Sequence, residues 1–151
     1  MVDITRSLGL DVGDVRIGVA LGDPLGILAS PLTIVTRHGG EEYDALSKII
    51  ADNAVERIVV GLPLAMDGGE GSQAAKTREF AEELARRTEL PLVFQDERLT
   101  TVEAQRMVRE ARKTTRTERY DAAAAALILQ DYLNTAHPPA FPDEDGENDS
   151  P

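Results

Sequence analysis

The chain has 151 residues, 42% hydrophobic and 28% charged, with a net charge of −11 and no cysteine. That length holds one sizeable core and the balance suits a globular domain in water, while the lack of cysteine excludes disulfides and thiolate metal sites. No apolar run is long enough for a membrane span, and the start MVDITRSLGL lacks the basic region and apolar run of a signal peptide, so a cytoplasmic location is expected.

Residues 8–12 and 15–21 (VRIGVAL) alternate as two strands, with Gly13-Asp14 between them as a two-residue type II′ hairpin turn. GILASPLTIV (26–35) follows as a third strand, and Pro31 within it predicts an edge position or an irregularity. EEYDALSKIIADN (41–53) carries Leu46, Ile49 and Ile50 at helical spacing. RIVVGL (57–62) is a continuous apolar run, the pattern of a strand buried on both faces. MDGGEGSQ (66–73) is a glycine-rich loop, AAKTREFAEELARRT an amphipathic helix with Phe80 and Leu84 four apart, and PLVFQ (91–95) another buried strand. TTVE (100–103) and TRTE (115–118) are capping boxes that open two more helices, the second continuing as RYDAAAAALILQDYL. From residue 136 the chain turns proline-rich and then acidic, and is expected to be a disordered tail. Five acids lie in it; without them 22 acids face 16 Lys and Arg. The order β-β-β-α-β-α-β-α-α predicts an α/β domain over 1–135. Its mixed five-stranded sheet has a three-stranded antiparallel start plus two parallel strands, flanked by helices.

Ligand sites in open α/β sheets form beyond the carboxyl ends of parallel strands. If the first, fourth and fifth strands are parallel, Asp11, the loop after Gly61 and the pair Asp96-Glu97 share one edge. Asp121 lies in the second turn of the last helix on a stripe with Ala125, Ile128 and Tyr132, the apolar side that faces the sheet. Read alone, Asp11 serves the hairpin turn and Asp121 pairs with Arg116 or Arg119. Read together, converging carboxylates repel unless cations compensate, and an oxygen-only donor set points to Mg²⁺ or Mn²⁺. Two such ions about 4 Å apart can clamp the attacking water and the leaving oxygen of a phosphodiester. Spacing alone does not choose between Asp96 and Glu97. The loop 66–73 lacks the Lys-Ser/Thr of a nucleotide cradle, though amides at the next helix start could meet a phosphate. His38 and His137 lie in no motif.

The stretches LGLDVGDVRIGVALGDPLGILASP, IVVGLPLAMDGGEGSQA, VFQDERLTTVEA and DAAAAALILQDYL resemble the YqgF/RuvX family in order and spacing, over residues 6–135. The resemblance implies a minimal RNase H-like nuclease related to Holliday junction resolvases, acting in 5′-end maturation of pre-16S rRNA. It also implies catalytic, metal-holding carboxylates at Asp11, Glu97 and Asp121. It departs at Ala65, where the family commonly carries asparagine.

The expected partner is nucleic acid: an RNA precursor, with branched or single-stranded DNA as alternatives, met as a monomer or homodimer. An acidic chain counts against this, but basic residues concentrate just before Asp121. Arg98, Arg109, Arg112, Lys113, Arg116 and Arg119 are expected to hold the phosphate backbone. Thr100 and Thr101 are expected to orient Glu97 or bond a phosphate. The nearest competing function is a Holliday junction resolvase with the same chemistry. More distant ones are an actin-like kinase, which needs two such domains, and a non-catalytic assembly factor.

Overall fold

The computed structural model describes residues 5–64, 69–96 and 118–136, with Glu118 to Asp121 and Ala136 described by their backbone alone. Its elements are β1 (Ser7–Val12), β2 (Arg16–Gly22), β3 (Ala29–Thr36), α1 (Glu41–Asp52), β4 (Arg57–Leu62), α2 (Ser72–Thr88), β5 (Leu92–Asp96) and α3 (Glu118–Ala136). The sheet runs β3-β2-β1-β4-β5. β1–β2 and β2–β3 are antiparallel; β1–β4 and β4–β5 are parallel. This is the mixed five-stranded α/β sheet the sequence predicts. The capping boxes at 100–103 and 115–118 and the 137–151 tail lie outside the described residues, apart from Glu118 at the start of α3. No described helix is long and apolar enough to cross a membrane.

β1 is central and buried along its whole length. Its alternation separates two cores. Leu8, Leu10 and Val12 join Ile17, Val19, Ile58 and Val60 beneath Leu46 and Ile50 of α1 and Phe80 and Leu84 of α2. On the other face Ala20 and Val59 pack under Ala125, Ile128, Leu129 and Leu133 of α3. Small residues make that second contact close: a Cβ at Gly9 would lie 2.6 Å from the Leu129 Cβ. Tyr132, expected on the buried stripe, is half-buried, and Leu129 and Leu133 take its place.

Three local expectations change. The first hairpin is not a type II′ turn on Gly13-Asp14. Gly13 donates its N–H to the Arg16 carbonyl at 2.9 Å, so Asp14 and Val15 form the turn. None of the three has the left-handed backbone a type II′ turn needs. Glycine is required there because a Cβ would sit 2.8 Å from the Arg16 oxygen. β3 begins at Ala29, not 26. Gly26 has φ 74°, and the Asp23 carboxylate accepts the N–H groups of Ile27 and Leu28, closing a turn before the strand. β5 is a sheet edge and not a fully buried strand: Leu92, Val93 and Phe94 are half-buried and only Gln95 is buried. Pro31 sits where expected, on the edge strand, beside a register shift opposite Val19 and Ala20.

Candidate active site

Three parallel strand ends meet at one edge of the sheet. Leu10 is in register with Val60 and Val60 with Phe94, so the carboxyl ends of β1, β4 and β5 terminate together. Asp11 stands at this edge on the central strand, opposite Gly18, and is only 5% exposed. Asp96 closes β5 in register with Leu62 and is half-buried. One residue earlier, Gln95 donates its Nε2 to Asp131 Oδ2 at 2.6 Å, tying α3 to the end of β5. Burial pushes the Asp131 carboxyl up from its ordinary value, partly offset by that hydrogen bond.

α3 runs back across the sheet toward this edge. Ala125 and Leu129 stand over Gly9, and Leu133 lies beside Gly22, which neighbours Ser7 at the other end of β1. The helix is therefore antiparallel to β1. The backbone of Asp121 lies one turn before Ala125, toward the end of β1 that carries Asp11. Arg119 shares that first part of the helix. Glu97, Arg98, Thr100, Thr101, Arg109, Arg112, Lys113 and Arg116 lie outside the described residues. Among the described residues no three Asp, Glu or His side chains form a metal-holding group. The expected triad depends on Glu97 and on the Asp121 side chain. The donors it would offer are all carboxylate oxygens, which suit hard divalent cations.

The structure adds residues at the same edge that sequence reading passed over. Lys76 of α2 reaches Asp14 in the hairpin turn at 3.8 Å, an exposed and weak pair. α2 starts at the uncapped Gly71, after the loop that leaves β4. Arg37, just past β3, donates Nη1 to the Gly13 carbonyl at 3.1 Å and Nε to Glu42 Oε2 at 3.3 Å. Glu42 also accepts the N–H groups of His38 at 2.8 Å and Gly40 at 3.1 Å. Burial alone would raise the Glu42 carboxyl, but these donors outweigh it and hold it below its ordinary value. An acid in a first helical turn is a legible signal. A guanidinium 24 residues from its carbonyl partner is not.

A mixed sheet in this order, with a buried carboxylate where three parallel strands end, defines an RNase H-like α/β domain. Thermus thermophilus RuvC in complex with a Holliday junction substrate shares the fold, with a TM-score of 0.57 at 14% identity over 89% of this chain and 96% of that one. At the sequence level, the RuvX family, described as Holliday junction resolvase, matches residues 5–135, and the chain belongs to that family. Similar relatives carry the name "Putative pre-16S rRNA nuclease". That of Dehalococcoides mccartyi is 42% identical over 86% of this chain and 98% of its own length. That of Synechococcus elongatus is 46% identical over 88% and 91%.

Proposed function

We propose that this chain is a metal-dependent nuclease that hydrolyses phosphodiester bonds during 5′-end maturation of pre-16S rRNA. The observation that carries the reading is Asp11, a nearly buried carboxylate at the shared carboxyl edge of β1, β4 and β5. The name of the relatives supports the choice of substrate. Asp11, Glu97 and Asp121 would hold Mg²⁺ or Mn²⁺ through their carboxylate oxygens. When bound, the ions help generate the attacking hydroxide and neutralise charge at the leaving 3′-oxygen. Arg98, Arg109, Arg112, Lys113, Arg116 and Arg119 hold the phosphate backbone, and Thr100 and Thr101 orient Glu97 or bond a phosphate. Aromatic residues make up 4% of the chain, which favours recognition of backbone and shape over base stacking. A cytoplasmic location, where precursor rRNA is met, goes with this reading.

The test is cleavage of labelled precursor rRNA, single-stranded DNA and four-way junctions across Mg²⁺ and Mn²⁺ titrations. Asp11→Asn, which keeps the shape and removes the charge, should lower the rate about a thousandfold, or about 4 kcal/mol of transition-state stabilisation. Undiminished metal-dependent cleavage by Asp11→Asn overturns the assignment. The family description favours one second reading, a resolvase. Paired symmetric cuts in the junction by a dimer, with precursor rRNA left intact, would establish it instead.

A further inference from the structure

We propose that Arg37 is the positioning residue for Asp11, through its grip on the hairpin turn that follows it. The inference rests on Asp11 being a metal-holding carboxylate. The last strand pair before the turn is Val12 with Ile17. Beyond it Gly13 is fixed on both sides: its N–H on the Arg16 carbonyl at 2.9 Å, its C=O on Arg37 Nη1 at 3.1 Å. The Arg37 backbone N–H also donates to the Val15 carbonyl at 2.8 Å. One residue therefore holds the turn at both Gly13 and Val15, beginning two residues past Asp11.

Arg37 is itself held by two further groups. Its Nε pairs with Glu42, whose side chain is 6% exposed. Glu42 in turn ties down the backbone of His38 and Gly40. The guanidinium lies 4.9 Å from the Phe80 ring centroid, and Phe80 stacks on Tyr43 at 4.9 Å and 18°. The clamp joins β1, β2, β3, α1 and α2 at one point. A side chain with one ammonium cannot lie on a ring, pair with Glu42 and reach Gly13 in this fork geometry, so lysine is not an equivalent here. Site carboxylates act only when their supports place them within about 0.5 Å. Loosening this turn loosens Asp11.

The measurement is Mn²⁺ binding to the full chain by calorimetry and electron paramagnetic resonance, with cleavage kinetics alongside, each variant kept well below its own Tm. Arg37→Lys should weaken Mn²⁺ binding about tenfold and lower kcat, with the KM for nucleic acid unchanged. The Gly13 amide should exchange hydrogen faster. Leu84→Ala, a buried substitution in α2, serves as the control for general destabilisation and should leave Mn²⁺ affinity unchanged. If Arg37→Lys does not fold, Glu42→Gln takes its place, because it keeps an acceptor for His38 and Gly40 and weakens only the hold on Arg37; it should weaken Mn²⁺ binding in the same direction. Wild-type Mn²⁺ affinity in the folded clamp variant, or an equal shift in Leu84→Ala, overturns the inference. Asp11→Asn separates the two readings. If it binds Mn²⁺ like wild type, the assignment of Asp11 fails. If it loses binding while Arg37→Lys keeps it, only the role of Arg37 fails.

Discussion

Glu42 shows what one buried acid does for this protein. Its carboxylate takes two backbone N–H groups and a guanidinium, and together they hold it below its ordinary value near 4.5. A carboxyl depressed in the folded state stabilises above its unfolded value, and that stability is lost as pH falls through the folded value. Glu42→Gln should therefore cost about 1–3 kcal/mol at neutral pH. The difference from wild type should shrink below pH 4.5 and vanish in strong acid, as urea denaturation at several pH values will show. A constant difference at all pH values would mean that packing, not charge, is what Glu42 supplies. Asp131 has the opposite sign: burial raises it, so its contribution to stability declines as pH rises.

Among the elements, β1 carries Asp11 and packs closely against α3. Their contact depends on Gly9, where a Cβ would lie 2.6 Å from the Leu129 Cβ and 3.1 Å from the Ala125 carbonyl. Neither atom is the far end of a flexible side chain, so the helix itself must move. Gly9→Ala should cost about 1–3 kcal/mol by overpacking, which for a chain of this size lowers Tm by about 2–12 °C. It should also lower cleavage more than stability alone explains if, as proposed, Asp121 of α3 acts together with Asp11 of β1. Normal kcat in the folded variant would show that the site tolerates helix movement. The half-buried β5 fits the same logic. Its exposed side is covered by Arg78 over the Phe94 ring at 4.7 Å, and its end is anchored by Gln95 to α3.

At the scale of the whole molecule, a net charge of −11 opposes a polyanionic substrate. Five of the acids fall between residues 143 and 149. Truncation after Ala136 should leave Tm unchanged and lower the KM for RNA several-fold at low ionic strength. The difference should fade as salt screens the charges. An unchanged KM at low salt would show that the tail does not oppose substrate approach.

The sequence by itself determined the order of the described elements, the parallel and antiparallel halves of the sheet, the edge position of Pro31 and the strand-end placement of Asp11. Those features are written in local periodicity, in proline and glycine, and in a charge that interrupts an apolar run. It also determined the family, because four motifs recur in one order. Tertiary structure alone decided the true form of the first turn and the exposure of β5. It alone joined Arg37 to Gly13 and Gln95 to Asp131. The physical reason is separation: these contacts lie 24 and 36 residues apart, and no local pattern encodes which donor the fold will bring to which acceptor. Gly13 shows both sides of this. The sequence marks it as a turn glycine, yet what requires glycine is the Arg16 carbonyl 2.8 Å from where a side chain would begin.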